Sequence, residues 1–307
     1  MKWPEELNFM KNSRLPQKET SASMKGLLSV VSGSTSGVGL ATLKLLASAG
    51  SDLVIVCRNK EKALPIQEEL IQTYHVHVDI VVADFSSFED VRKAAEYILQ
   101  TYPKIDVLIN SVGIHSTKKL FNEDGIELCF VVNHLSTFLF TKLLIPRLKE
   151  SAPSRIIQIN SEGHRFSNVK LNDVNFKHRI YTGLKGYGQS KTAQLMTVWE
   201  LNDQLKGSGV TINACHPGAV KTAIGSNNGP LYRWYFKHVT SHFLKDPIIS
   251  AKAIYYLAAD PELKDVSGRF YNLTIDEVPA KHARDRILGK QVYDQSMKLV
   301  GLNHDWR

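Results

Sequence analysis

The chain has 307 residues, of which 43% are hydrophobic and 22% are charged. This balance supplies a sizeable core and argues against global disorder, and the length suits one large α/β domain. The net charge of +8 is compatible with nucleic acid, an acidic membrane surface or an anionic cofactor. Because no zinc-finger spacing or RNP-like motif accompanies that charge, the sequence does not predict nucleic-acid binding.

The cysteines and the N-terminal residues indicate a reducing compartment. Cys57, Cys129 and Cys215 are widely spaced in apolar runs, which predicts buried free thiols. Residues 1–24 are polar and lack the apolar centre of a signal peptide, so they are predicted to be an N-terminal extension, either an ordered arm or a frayed one. Residues 25–307 then form a single domain. With no run of about 18 uncharged apolar residues, the prediction is a cytoplasmic protein without a spanning helix.

Apolar, strand-like runs alternate with amphipathic stretches over most of the chain. This alternation predicts a doubly wound parallel sheet of the Rossmann type, with helices on both faces and ligands at the carboxyl ends of the strands. The predicted strands are 27–32, 53–57, 77–82, 106–109, 154–160, 210–215 and about 268–272. The predicted helices lie near 38–48, 61–73, 87–101, 123–149, 184–206 and 248–259.

The stretch SGSTSGVG at residues 32–39 lies between the first predicted strand and the first predicted helix. Gly33, Gly37 and Gly39 lack a Cβ where a backbone must turn tightly and approach a ligand closely. The helix that follows points free N–H groups at the turn, which is the usual place for a dinucleotide pyrophosphate. The spacing is G-x-x-x-G-x-G, so the match to the common fingerprint is partial and a plain tight turn is the alternative.

The end of the second predicted strand bears on the choice of dinucleotide. An acidic residue about 20 positions after the glycines binds the ribose of NAD, whereas an arginine there accommodates the 2′-phosphate of NADP. Cys57 is followed here by Arg58, Asn59 and Lys60, with no acid. Since a guanidinium pairs bidentately with phosphate, the sequence predicts NADP. The alternative is that these cations are solvated charges at the start of a surface helix.

Tyr187 and Lys191 lie four residues apart at the start of a predicted helix, so their side chains share one face. On an exposed helix such a pair is usually solvated, and its meaning depends on what accompanies it. Other polar residues stand directly after predicted strands or inside an apolar helix: Ser161, Asp84, Asn110 with Gly113, and Asn133.

Taken in order, these motifs resemble those of the short-chain dehydrogenase/reductase family over about residues 26–275. The sequence of motifs is the glycine turn, Asp84, NSVG at 110–113, Asn133, Ser161, Tyr187 with Lys191, and HPGAVKT at 216–222. VCRN at 56–59 and VNHLSTFLFT at 132–141 resemble the retinol-dehydrogenase-like group. The resemblance implies an oxidoreductase that transfers a hydride between NADP(H) and a carbonyl or alcohol.

The resemblance also implies a role for each matched residue. Tyr187 would give a proton to the carbonyl oxygen in reduction, and Lys191 would lower the pKa of Tyr187 and hold the nicotinamide ribose. Ser161 would polarise the carbonyl, and Asn133 would hold a water that links Lys191 to solvent. The implied cofactor-binding residues are Gly33, Ser34, Thr35, Ser36, Gly37, Val38, Gly39, Arg58, Asn59, Asp84, Phe85, Asn110, Gly113, Tyr187, Lys191, Pro217, Gly218, Val220 and Thr222.

Some of these residues have simpler alternative roles. Asp84 would serve equally as a helix cap, Asn133 as a satisfied core amide, and Ser161 as the end of a strand. The family pattern is altered at Ser111 with Val112, at Ser32 and at Asn160, none of which is a catalytic position. The histidines show no metal-ligand spacing, so no metal site is predicted and structural or surface roles are expected for His115, His134, His164 and His216.

Residues 225–247 break the alternation and mix aromatic with basic side chains. A long insertion at this point is typical of a lid or substrate wall, and an ordinary surface helix is the alternative. As a lid, it favours a lipophilic carbonyl or alcohol such as a retinoid, a steroid or another hydrophobic ketone or aldehyde. An NADP-binding protein without turnover, a peripheral membrane protein that docks through this segment, and a homo-oligomer stay open.

Overall fold

The computed structural model describes residue 12, residues 15–218 and residues 246–303. The strands are β1 (Leu28–Ser32), β2 (Asp52–Cys57), β3 (Val78–Val82), β4 (Val107–Asn110), β5 (Ser154–Ile159), β6 (Val210–His216), β7 (Phe270–Asn272) and β8 (Ile275–Asp276). They form one sheet in the order β3-β2-β1-β4-β5-β6-β7-β8. Every neighbouring pair is parallel except β7 with β8. The predicted doubly wound parallel sheet is therefore confirmed.

Helices cover both faces of the sheet. They are α1 (Gly37–Ser48), α2 (Lys60–Tyr74), α3 (Phe88–Thr101), α4 (Leu128–Glu150), α5 (Gly183–Gln204), α6 (Pro247–Ala259) and α7 (Arg286–Leu299). Short 3₁₀ turns occur at Glu162–Phe166, Leu171–Asp173, Pro261–Leu263 and Lys281–Arg284. The described elements agree with the predicted strands and helices to within a few residues, apart from α7 and β8, which the sequence reading omitted.

Alternate strand residues supply two apolar cores, because successive side chains of a strand point to opposite faces. In β2, Val54 and Val56 join the core beneath α3, α4 and α5. Leu53 and Ile55 join the core beneath α1, α2 and α6. Burial of a strand on both sides explains why β2 reads as an unbroken apolar run instead of an alternating one.

Helix α4 runs through the middle of one core. Its 23 residues are long and apolar enough by composition to cross a membrane, with a hydropathy of 1.7 over 18 residues, and 94% of that window is buried inside the fold. Buried polar side chains on this helix are hydrogen-bonded, as where Thr141 donates to the carbonyl of Thr137 at 2.8 Å. Packing in the protein core thus accounts for its apolar composition.

The described part of the N-terminal extension packs against the sheet. Met24 is fully buried. The backbone N–H of Lys18 donates to Thr274 Oγ1 at 2.8 Å, and the N–H of Thr274 donates to Gln17 Oε1 at 3.0 Å. Residues 15–24 are therefore an ordered arm beside the last strands.

Candidate active site

A cavity of about 940 Å³ opens at the carboxyl ends of the central strands. Ligands bind at this edge in doubly wound sheets. The predicted residues that line it are Gly33, Thr35, Ser36, Gly37, Val38, Gly39, Arg58, Asn59, Asp84, Phe85, Gly113, Ser161, Tyr187, Lys191, Pro217 and Gly218. Residues far apart in the chain thus meet at one site, as the sequence analysis expects. Val220, Thr222 and most of the 225–247 segment lie outside the described residues.

The glycine turn approaches its neighbours so closely that a side chain would not fit. Gly33 has a φ of +70°, and a Cβ there would stand 2.6 Å from the backbone nitrogen of Val112. Beyond the turn, the fully described helix α1 has no acidic residue in its first turn, and Ser36 makes no capping hydrogen bond within it. The first-turn N–H groups of α1 are therefore open to an anion, as a pyrophosphate requires.

Two cations line the far end of the cavity. The Arg58 side chain is 68% exposed, and its Nη1 lies 3.8 Å from Oδ2 of Asp84. Lys62, which the sequence reading did not select, also lines the cavity. It comes within reach because Asn59 caps α2, accepting from the backbone N–H of Lys62 at 2.8 Å. A 2′-phosphate at this end would meet two cations, which fits NADP.

Asp84 faces the same end of the cavity. Its Oδ1 accepts from the backbone N–H and the hydroxyl of Ser86, each at 2.8 Å. The N-cap of α3 is Ser87, so the alternative in which Asp84 caps that helix is wrong.

Three of the predicted residues lie behind the cavity wall. Ser34 is buried and donates to the carbonyl of Val31 at 3.1 Å. Asn110 is also buried, and its Nδ2 donates to Thr141 Oγ1 at 2.8 Å, which ties β4 to α4. The third is Asn133, in the π-helical turn of α4. Among the described residues these side chains support the wall, and the role of Asn110 at the adenosine ribose stays a prediction.

Ser161 and Tyr187 both line the cavity, and the Ser161 hydroxyl lies close enough to the Tyr187 phenol to favour its ionised form. Ser161 begins the 3₁₀ turn after β5, and its Oγ accepts from the N–H of Gly163 at 3.0 Å. Because that N–H can only donate, the Ser161 hydroxyl keeps its own proton for Tyr187 or for a substrate oxygen. The pair thus presents two hydroxyl groups to one point in the cavity.

Burial dominates the electrostatics of Tyr187 and Lys191. It raises the pKa of Tyr187 to about 12, and the neighbouring Ser161 hydroxyl opposes the rise. It also lowers the pKa of Lys191 to about 7. The Lys191 Nζ lies 6.0 Å from the centre of the Tyr187 ring and donates to the carbonyl of Ile159 at 2.7 Å. The expectation that Lys191 lowers the pKa of Tyr187 stays a prediction, and in the described arrangement desolvation keeps the pKa of Tyr187 above its ordinary value.

Gln194 links Lys191 to Asn133. Its Oε1 accepts from Lys191 Nζ at 3.3 Å, and its Nε2 donates to the carbonyl of Asn133 at 2.8 Å. The amide of Asn133 bonds the backbone of Ile114 at both ends, accepting at 2.7 Å and donating at 2.9 Å. Asn133 and Lys191 are thus connected through the side chain of Gln194, while the water that Asn133 is predicted to hold stays a prediction.

Asn160, where the family often has a second serine, orients Ser161. Its Oδ1 accepts from the N–H of Ser161 at 2.8 Å. Its Nδ2 donates to the carbonyl of Lys191 and to Gln194 Oε1, each at 2.9 Å. The buried amide of Asn160 therefore fixes Ser161, which follows β5, against α5, the helix that carries Tyr187 and Lys191.

The segment after β8 closes the back of the Ser161 turn. Arg165 pairs with Glu162 and, at 2.6 Å, with Glu277. Burial raises the pKa of Glu162, and the Glu277 carboxylate adds to the rise. Because removing one partner of such a network leaves a buried charge uncompensated, these contacts hold the turn firmly to the C-terminal part of the sheet.

Comparison with known proteins agrees with this geometry. The short chain dehydrogenase family model matches residues 28–231. The chain is 35% identical over 301 residues to retinol dehydrogenase 13 of Homo sapiens, covering 96% of this chain and 90% of the relative. An uncharacterized protein from Mycobacterium paratuberculosis has the same fold, with a TM-score of 0.75, 24% identity and coverage of 92% and 96%. The RhlG/NADP active-site complex of Pseudomonas aeruginosa matches with a TM-score of 0.65, 21% identity and coverage of 81% and 95%. The chain therefore belongs to the short-chain dehydrogenase/reductase family of oxidoreductases, in its retinol-dehydrogenase-like group.

Proposed function

We propose that this oxidoreductase uses NADP(H) to interconvert a lipophilic carbonyl compound and its alcohol. The observation that carries the proposal is the placement of Ser161, Tyr187 and Lys191 on the wall of one cavity whose other end holds Arg58 and Lys62. The hydroxyl groups and the lysine suit proton transfer to a substrate oxygen, and the two cations at the other end suit the binding of a phosphate.

The described residues fit a dinucleotide along the length of the cavity. The turn at Gly33–Gly39 and the first turn of α1 would hold the pyrophosphate. Arg58, with Asn59 and Lys62, would hold the 2′-phosphate, and Asp84 with Phe85 the adenine. Tyr187 and Lys191 would bind the nicotinamide ribose beside Pro217 and Gly218, and Val220 and Thr222 remain proposed from the sequence alone.

The nicotinamide supplies or accepts the hydride when it is bound. In reduction, Tyr187 gives its hydroxyl proton to the carbonyl oxygen as that oxygen gains charge. With a pKa of about 12 the tyrosine holds this proton at neutral pH. Ser161 donates a second hydrogen bond to the same oxygen, which stabilises the charge that develops there. In oxidation the same groups act in reverse.

Exposed apolar side chains near the site support a lipophilic substrate. Phe166 is 64% exposed and closes the 3₁₀ turn that begins after Ser161. Ile180 is 80% exposed and Leu184 is 61% exposed, both just before Tyr187. Exposed apolar side chains close in sequence to Ser161 and Tyr187 are compatible with an apolar substrate. The name of retinol dehydrogenase 13 refers to a lipophilic alcohol of this kind.

Cofactor oxidation tests the proposal. The protein is mixed with NADPH or NADH and with pairs of large and small carbonyl compounds, including retinaldehyde, a steroid ketone and short-chain aldehydes, and the loss of reduced cofactor is followed. We expect turnover with NADPH and a preference for the large apolar carbonyls, abolished in Tyr187→Phe. NADPH binding in calorimetry without turnover on any carbonyl would instead favour a cofactor-binding protein.

A peripheral membrane contact and a cytoplasmic location are separate proposals. Sedimentation with vesicles that contain anionic lipid tests the first without reference to activity. Protein that stays entirely in the supernatant at low salt would remove the membrane contact from the proposal and leave catalysis unaffected.

A further inference from the structure

His164 lies fully buried, three residues after Ser161, where four parts of the fold meet. Its ring packs edge-on against Phe270 of β7, with the ring centres 5.0 Å apart. Its carbonyl oxygen accepts from Thr192 Oγ1 of α5 at 2.9 Å and from His282 Nε2 at 2.8 Å. The backbone of His164 is therefore held from two directions.

The imidazole of His164 makes two further hydrogen bonds, and both partners have fixed roles. Its Nδ1 lies 2.8 Å from the carbonyl oxygen of Ser161, which can only accept. Its Nε2 accepts from the backbone N–H of Ala280 at 3.1 Å, which can only donate. The ring must therefore carry its single proton on Nδ1 and leave Nε2 unprotonated.

A second proton on this ring is disfavoured by burial and by most of its neighbours. It would remove the acceptor for the Ala280 N–H group, and Arg165, His282 and His216 all oppose added positive charge. Burial, with these neighbours, lowers the pKa of His164 to about 3. The imidazole is thus a neutral, directional connector and takes no part in proton transfer.

We infer that His164 is a positioning residue, which fixes the orientation of Ser161 by donating to its carbonyl oxygen. The imidazole is itself held in place by the backbone N–H of Ala280 in the C-terminal segment. This inference rests on the proposed role of Ser161. The Ser161 carbonyl also accepts from the N–H of His164 at 3.1 Å, so one peptide unit is fixed by two donors. Such support matters because a catalytic group misplaced by about 1 Å can lose up to roughly a hundredfold in rate.

Two substitutions test the two hydrogen bonds of the His164 imidazole one at a time. The amide nitrogen of asparagine falls near the Nδ1 position, so His164→Asn keeps a donor to Ser161 and loses the acceptor for Ala280. The amide of glutamine reaches the Nε2 position, so His164→Gln keeps an acceptor for Ala280 and loses the donor to Ser161. Circular dichroism and NADPH calorimetry would establish that each variant folds and binds cofactor.

We expect His164→Gln to lower kcat by about tenfold and His164→Asn to stay within about threefold of the wild type, with NADPH affinity unchanged in both. Equal losses of kcat in the two variants, or a parallel loss of NADPH affinity, would overturn the inference, because a general packing defect does not distinguish the two ring nitrogens.

A measurement on the wild-type protein does not depend on activity. Nitrogen NMR of histidine-labelled protein should show one imidazole with its proton on Nδ1 that does not titrate between about pH 5 and about pH 8, and its signal should disappear in either variant that folds. The absence of any such imidazole overturns the inference even if both variants fail to fold. Its presence in a protein that reduces no carbonyl would instead count against the proposed function alone.

Discussion

The ring of Tyr187 rests directly on the backbone of Gly163. A Cβ at position 163 would stand 2.6 Å from Cε1 of the ring and 2.8 Å from Cδ1. On another side His115 packs edge-on, with the ring centres 5.6 Å apart. The ring is therefore confined by the Gly163 backbone and by the His115 ring.

We expect Gly163→Ala to lower kcat by at least about tenfold, because the Tyr187 ring must move to admit the new methyl group and reactive groups tolerate little displacement. Steady-state kinetics with the best carbonyl substrate measures the effect. Gly289→Ala is the matched control, since a Cβ there meets its nearest atom at an ordinary 3.8 Å. A Gly163→Ala enzyme as active as Gly289→Ala would contradict the assigned packing.

Tyr187→Phe removes the proton donor and keeps the ring against Gly163. Because general acid catalysis contributes about 10²–10⁴-fold, we expect kcat to fall by that order while NADPH still binds. Stopped-flow turnover and calorimetry on the same sample check both parts. Activity within a few-fold of the wild type would place the donor elsewhere.

Lys191 should determine the pH dependence of reduction. Its pKa is lowered to about 7 by burial, so the ammonium is lost as pH rises through that value. Tyr187, with a pKa of about 12, stays protonated over the same range. We expect kcat/KM for NADPH to be level below about pH 7 and to fall up to tenfold per pH unit above it, because the cation no longer favours the developing tyrosinate.

This pH profile has a control on the same helix. Lys185 is exposed at the start of α5, so Lys185→Met should leave the profile unchanged. A wild-type profile that stays level from about pH 6 to about pH 9 would show that Lys191 does not titrate in the working enzyme.

Cofactor choice should depend on Arg58 and Lys62. A charge-assisted hydrogen bond is worth about 1.5–3 kcal/mol, so Arg58→Asp should weaken NADPH binding by roughly ten- to a hundredfold and leave NADH nearly unaffected. Lys62→Met should cost about a few-fold. Lys60→Met is the matched control, because among the described residues Lys62, and not Lys60, lines the cavity. Equal Kd values for NADPH and NADH in the wild type would contradict the assignment of Arg58 and Lys62 to the 2′-phosphate.

His134 should make the protein sensitive to acid. It is fully buried, burial lowers its pKa to about 3, and within the described residues its Nδ1 has no hydrogen-bond partner. As the pH falls below the ordinary histidine pKa of ~6.5, His134 becomes protonated in the unfolded chain but not in the folded chain. The free energy of unfolding therefore falls. His134→Phe removes this effect, and Ser296 still donates to the carbonyl of Val292 at 2.7 Å.

We therefore expect the stability of His134→Phe relative to the wild type to rise by about 1.4 kcal/mol between about pH 7.5 and about pH 5.5, measured by urea unfolding. A change in packing caused by the substitution contributes equally at both pH values, so it cancels when the two stability differences are subtracted. His178→Gln, at an exposed histidine, should show no such shift. If His134→Phe shows none either, the buried imidazole must be protonated in the folded protein.

The order of strands and helices was accessible from the sequence because burial on both faces makes strands such as β2 unbroken apolar runs. Helix α7 was missed since it buries only a narrow stripe, including Val292, Tyr293 and Met297, against α5. In such a polar segment a narrow apolar stripe cannot be recognised as a buried helix face until the helix that it packs against is known. Strand β8 has two residues, too few for any periodic pattern.

Ser161, Tyr187 and Lys191 were predicted to share a site because their motifs resemble those of the family, and all three line one cavity. The supporting residues were not, because each depends on packing that the motifs do not specify: Gln194 contacts Asn133, which is distant in sequence, and Lys62 is placed by the cap at Asn59. The bond from Asn110 to Thr141 was not predicted either. A polar residue at the end of a strand can face the cavity or the helix behind it, and only the packing of Thr141 decides between these.

The contact between Ala280 and His164 affects when a newly made chain can work. Ser161 leaves the ribosome more than a hundred residues before Ala280 and Glu277, which is several seconds earlier at roughly 5–20 residues per second. During that interval the glycine turn and the first strands can already form, yet the serine turn lacks its anchor. The serine turn of a newly made chain is therefore completed only after residues 277–280 have been synthesised and packed against it.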